Sequence, residues 1–61
     1  MLIKSYEYSG YLIEINQHPI YNDFEFVVKT LDGKEVKGTS TVPYMYEDDA
    51  HLGAQLMINR F

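Results

Sequence analysis

Glu47-Asp48-Asp49-Ala50-His51-Leu52-Gly53-Ala54-Gln55-Leu56-Met57-Ile58-Asn59-Arg60-Phe61 is the stretch on which the fold turns. Within it Ala50, Gly53, Ala54, Met57, Ile58 and Phe61 recur at i, i+3, i+4, i+7, i+8 and i+11. That spacing draws one apolar stripe along a helix of about 3.6 residues per turn. Three acids open the stretch and Arg60 stands near its other end, each sign facing the helix-dipole end that favours it. No other segment carries the helical period, so the stripe needs a sheet to lie on.

The residues before it supply one. From Ile3 to Asn16 apolar and polar side chains alternate around Ser9-Gly10. A two-residue hairpin loop there sets Tyr8 opposite Tyr11, Tyr6 opposite Ile13 and Lys4 opposite Ile15. Tyr6, Tyr8, Tyr11, Ile13 and Ile15 then share one face, and Ser5, Glu7, Leu12 and Glu14 the other. The alternative is a single long strand bulged at Gly10. Gln17–Asp23 holds Pro19 and Asn22-Asp23 and reads as a loop.

Alternation resumes over Phe24–Thr30, with Phe24, Phe26 and Val28 facing one way and Glu25, Val27 and Lys29 the other. Leu31-Asp32-Gly33-Lys34 is a turn. A three-residue loop with a glycine bulge at Gly33 pairs Thr30 with Lys34 and Val28 with Val36, which keeps the apolar residues together. Glu35–Val42 reads as a fourth strand, ended by Pro43. Tyr44, Met45 and Tyr46 then cross to the helix. The expectation is an α+β single domain over residues 1–61: a four-stranded antiparallel meander (β-β-β-β-α) with one C-terminal helix on one face.

Composition bounds what such a domain can do. A chain of 61 residues buries only about 60% of its unfolded surface, and without cysteine neither a disulfide nor a thiolate metal site can staple it. Three Phe and six Tyr must help to fill the core, and self-association would add to it. A net charge of −4 opposes non-specific contact with a phosphate backbone. No apolar run reaches the roughly 18 residues of a membrane span. Met1-Leu2-Ile3-Lys4 is too short and too quickly polar for a signal peptide. A cytoplasmic protein is the expectation.

Little in the sequence points to chemistry. Asp48 and His51, three apart, would share a helix face as two metal ligands might, but third and fourth ligands at a recognisable spacing are missing. We expect an acidic helix start with a surface histidine and no metal. His18, before Pro19, reads as a loop histidine. No serine sits in a nucleophile elbow, and Gly10, Gly33, Gly38 and Gly53 are too scattered to cradle a phosphate. We expect no catalysis, no cofactor and no small-molecule substrate.

The tyrosines raise a different possibility, because tyrosines on a sheet can stack on bases. Lys29, Lys34 and Lys37 gather on the second hairpin, yet Asp32 and Glu35 dilute them. The structural reading places Tyr6, Tyr8 and Tyr11 beneath the helix with their hydroxyls at its rim. Tyr21, Tyr44 and Tyr46, in connecting segments, are candidates for contact with a partner.

With Tyr8-Ser9-Gly10-Tyr11-Leu12-Ile13, Asp32-Gly33-Lys34 and the acidic helix start in view, the chain resembles short bacterial and phage-encoded proteins without an assigned activity. These open on a Tyr-x-Gly-Tyr-x-Ile pattern and close with one helix. The resemblance departs where a Ser or Thr cap would stand, since Tyr46 and Glu47 hold that place. It implies a meander with a C-terminal helix and no site.

The leading functional expectation is a non-enzymatic acidic protein-interaction module, a homo-oligomer or the partner of another protein. Its surface would be the uncovered sheet face. Setting Ile13 beside Phe26 brings Leu12 beside Val27 there, with Leu31 further along, and Tyr21, Tyr44 and Tyr46 complete the candidate interface. The alternative is a nucleic-acid-binding module built on the tyrosines with Lys29, Lys34 and Lys37, against which the net charge stands.

Overall fold

Ser9 and Gly10 turn the chain back on itself in two residues, both with positive φ, 52° and 85°. Positive φ at both loop positions is the mark of a type I′ turn, whose twist matches that of the strands it joins. The strands are β1 (Leu2–Tyr8) and β2 (Tyr11–Gln17), with Tyr8 opposite Tyr11, Tyr6 opposite Ile13 and Lys4 opposite Ile15. The hairpin and its register are as the alternation predicts, and the single bulged strand is excluded. The register slips between Leu2 and Lys4, and Ile3 packs against the core.

β3 (Phe24–Thr30) pairs antiparallel with the other side of β2, across a loop built around His18. The His18 and Asn22 backbone amides close it on Asp23 and His18 carbonyls at 2.9 and 3.0 Å. Ile13 lies opposite Val28 and Ile15 opposite Phe26. This differs by one pleat from the expected Ile13–Phe26 pairing. A two-residue slide keeps every side chain on its face but changes its neighbours: Leu12 faces Lys29, and Val27 faces Glu14.

In this computed structural model residues 1–36 and 42–61 are described. The Leu31–Gly33 loop takes the expected three-residue form. Gly33 has φ 95° and donates to the Thr30 carbonyl at 2.9 Å, while Thr30 donates to Lys34 at 2.8 Å and Val36 to Val28 at 2.8 Å. Of the expected fourth strand, Glu35–Val42, only the bridge of Glu35 to Lys29 is seen among the described residues. Among the described residues the sheet has three strands, in the order β1-β2-β3, and residues 37–41 of the expected strand, Lys37 included, lie outside them. The edge of β3 is touched twice, by Glu35 opposite Lys29 and by Tyr44 opposite Phe24. The two contacts are out of phase, so Tyr44 does not continue the register that Glu35 sets.

The helix α1 (Glu47–Asn59) lies across one sheet face. Ala50, Ala54 and Ile58 are buried against Ile13 and Ile15 of β2 and Phe26 and Val28 of β3. The two alanines let the helix backbone approach closely, and Met57 packs at the margin. Gly53 extends the same logic: a Cβ there would stand 2.9 Å from Cζ of Tyr44 and 3.2 Å from Phe26. Phe61 corrects the stripe. The Arg60 and Phe61 amides bond back to Met57 and Ile58 at 3.2 and 3.0 Å, which tightens the last turn. Phe61 is left 58% exposed, its ring edge-on to Tyr11 at 5.0 Å.

Candidate functional site

Strand β1 lies outside the buried apolar core and meets the helix through polar side chains. Helix positions Glu47, His51, Gln55 and Asn59 succeed one another at i+4, and strand positions Lys4, Tyr6 and Tyr8 at i+2. Four helical residues rise about 6.0 Å and two strand residues about 6.6 Å, so the two rows stay in step. Lys4 Nζ stands 3.7 Å from Glu47 Oε2. Tyr6 Oη meets His51 Nδ1 at 2.9 Å and accepts from Gln55 Nε2 at 3.2 Å. Tyr8 Oη donates to Asn59 Oδ1 at 3.2 Å. The tyrosine hydroxyls thus sit at the helix rim, as expected.

Glu47 closes the row by accepting from His51 Nε2 at 2.9 Å. That hydrogen bond holds the Glu47 carboxyl below the usual glutamate range; partial desolvation opposes it and the Lys4 charge adds to it. An ionised carboxylate can only accept, so in the neutral ring Nε2 carries the proton and Nδ1 accepts from Tyr6. Glu47, His51 and Tyr6 therefore stand in the order carboxylate, imidazole, hydroxyl. They border an open hollow of about 510 Å³ with Lys4, Asp48 and Gln55.

Order alone does not make a catalytic relay. Both nitrogens of His51 are engaged within the fold, and no buried side-chain polar atom among the described residues lacks a partner. The arrangement fixes the helix over β1. Asp48, weighed with His51 as a possible metal ligand, is exposed beside the hollow; the expected surface histidine is half-buried and bonds Glu47, one full turn away. Among the described residues no three metal-binding side chains gather. His18 is a loop residue, its Nδ1 accepting from the Ile20 and Tyr21 amides at 3.2 and 3.4 Å.

The uncovered sheet face does not bring the expected interface residues together. Leu12 and Val27 are half-buried, set apart by the register that places Lys29 and Glu14 opposite them. Lys29 bonds Glu14 across the strands at 3.0 Å. Leu31 is exposed at the turn. Of the residues of the nucleic-acid reading, Tyr6, Tyr8 and Tyr11 contact the helix and Phe61, Lys29 is paired, Lys34 is exposed and Lys37 lies outside the described residues.

The connecting tyrosines fare differently from one another. Tyr21 and Tyr46 are exposed, Tyr21 against the His18 ring at 4.8 Å. Tyr44 is half-buried. Paired backbone hydrogen bonds of 2.7 Å tie it to Phe24, and its ring leans on Phe26. It forms a ridge between two shallow grooves. One, of about 330 Å³, runs between Tyr21 and Met45. The other, of about 310 Å³, is bordered by Asp49, Leu52, Gly53 and Leu56.

Leu52 and Leu56 are what the sequence reading missed. They lie one turn apart, exposed at 54% and 47%, on the flank away from β1. Met45 and Tyr46, just before the helix, are exposed as well. The signal was present as an i, i+4 leucine pair outside the buried stripe. No helix of the described residues is long and apolar enough to cross a membrane. No protein-family model matches the chain, and no similar curated protein or solved structure is found.

Proposed function

We propose that this chain is a non-enzymatic protein-interaction module that binds through the outer flank of its helix. Leu52 and Leu56, exposed in a row beside the Tyr44 groove, carry the reading. A scattered exposed leucine needs no explanation, but a row beside a preformed groove marks a contact surface. The flank replaces the sheet face that holds Leu12 and Val27. We read the Glu47–His51–Tyr6 row as a contact that holds the helix and not as a catalytic one.

The test compares wild type with Leu52→Lys, Leu56→Lys and the far-face control Leu12→Lys in capture from native lysate and in sedimentation. Both helix residues are exposed, so the lysines leave the fold intact by circular dichroism. Associations lost in the helix variants and kept in Leu12→Lys are expected. Helix variants that keep every association of the wild type would refute the reading.

A further inference from the structure

We infer that the partner is a second copy of this chain, docked helix to helix in an antiparallel two-fold pair; the inference rests on the interaction reading above. A two-fold interface must be self-complementary, each residue meeting another and being met by it in return. The outer row of the helix has that property. Read outward from position 54, its exposed members are Leu52 and Leu56, then Asp49 and Asn59, then Asp48 and Arg60. Around the helix, Asp48 and Asn59 lie on one side of the leucine pair and Asp49 and Arg60 on the other.

An antiparallel pair centred there sets Leu52 against Leu56 of the partner subunit, twice. It sets Asp49 against Arg60 of the partner subunit, twice, and Asp48 against the polar Asn59 of the partner subunit. A parallel pair would bring Glu47, Asp48 and Asp49 against the same three acids and align the two helix dipoles. The charge pattern therefore selects the antiparallel direction.

The groove supplies the rest. Tyr44 is fixed to Phe24 by its backbone and stands over Gly53, so the hollow bordered by Leu52 and Leu56 exists before association. A preformed hollow lowers the ordering cost of receiving a leucine. Only two leucines come from each copy and each chain carries a net −4, so the pair is a weak one that strengthens with concentration.

Sedimentation across the micromolar range up to about 1 mM decides it, on wild type, Leu52→Lys, Asp49→Arg, Arg60→Asp and the Asp49→Arg/Arg60→Asp double variant. Circular dichroism first confirms that each is folded. We expect a concentration-dependent dimer in the wild type and at least about a tenfold higher dissociation constant in Leu52→Lys. Each single charge reversal sets like charges together and weakens the dimer, and the double variant restores it. A wild type monomeric throughout, or a double variant no tighter than the single reversals, overturns the antiparallel pair. If Leu52→Lys still loses another captured protein, the interaction reading stands without self-association. If Leu52→Lys dimerises as the wild type does, the helix pair falls, and if it also keeps every captured association the interaction reading falls with it.

Discussion

One helix is held to one sheet in two chemically opposite ways. Toward β2 and β3 it presents Ala50, Ala54 and Ile58 to a dry seam with Ile13, Ile15, Phe26 and Val28. Toward β1 it presents Glu47, His51, Gln55 and Asn59 to Lys4, Tyr6 and Tyr8. The first contact is non-directional and scales with the area removed from water. The second returns little net free energy, because each bond made replaces one to water, yet its donors and acceptors are satisfied at one register only. Sliding the helix by a turn would set Glu47 beside Tyr6 and part Tyr6 from the imidazole nitrogen that it bonds. The dry seam thus supplies the stability and the polar row the alignment.

The largest expected effect is in the dry seam. Ile58→Ala should cost about 2–5 kcal/mol, much of what so small a domain has. Phe61→Ala, on the same helix face by sequence, should cost no more than about 0.5–1.5 kcal/mol, the range of one aromatic edge contact. Urea melts of the two variants measure the contrast. Equal losses would mean that Phe61 belongs to the core after all.

Gly53 gives the next effect, and its sign is the informative part. Glycine to alanine in an ordinary helix interior gains roughly 0.5–1 kcal/mol. Here the added methyl meets the Tyr44 ring, whose backbone is tied to Phe24, and overpacking costs about 1–3 kcal/mol. Gly53→Ala should therefore destabilise, by about 1 kcal/mol net, and should turn neutral or stabilising in a Tyr44→Leu background. Chemical melts of the single and double variants give both values. A Gly53→Ala that stabilises the wild type would show that Tyr44 yields freely.

A smaller effect belongs to the polar row. Tyr6→Phe leaves His51 Nδ1 and the Gln55 amide without their partner and should cost about 0.5–1.5 kcal/mol. Most of that loss should vanish when His51→Leu and Gln55→Leu are already in place. The non-additivity is the measurement, since residues of one network couple and distant ones do not. Strictly additive losses would mean that the row is three separate contacts.

The dry seam was legible in the sequence and the polar row was not, for physical reasons. Period-2 alternation around Ser9-Gly10 and period-3.6 recurrence through Ala50, Ala54 and Ile58 are one-dimensional signals, and one hairpin register sorts the faces cleanly. The Gly33 bulge was legible because one loop length alone keeps Val28 beside Val36. The β2–β3 register was not, since a two-residue slide leaves every face unchanged. The bridge of Tyr44 to Phe24 was not legible, because a pairing in a different register from that of Glu35 has no local mark. For the polar row the clue was a coincidence of rises, i+2 in Lys4-Tyr6-Tyr8 against i+4 in Glu47-His51-Gln55-Asn59. It is visible only once the two elements are known to run side by side. Reading Asp48 against His51 weighed the acids by sequence distance alone, and passed over the full-turn pair with Glu47.

The smallest expected effect is at the exposed end of the polar row, in its response to acid. The Glu47 carboxyl is held below its ordinary range by the His51 hydrogen bond, opposed by partial desolvation and aided by the Lys4 charge. In the unfolded chain it titrates as a normal glutamate, so the folded state binds its proton less readily. Its contribution to stability is then complete above the normal glutamate range and is lost as pH falls through the depressed folded value. The stability difference between wild type and Glu47→Gln should therefore be level near neutral pH and shrink on descent below about pH 5. Solvent screens an exposed carboxylate, which keeps the difference small at every pH. Paired urea titrations at low salt follow it, and added salt should shrink the Lys4 share first, because that contact is the longer one. A difference that stays level down to about pH 3 would mean that Glu47 is not anchored to His51 in solution. The polar row would then begin at Tyr6 and align the helix from its middle rather than from its start.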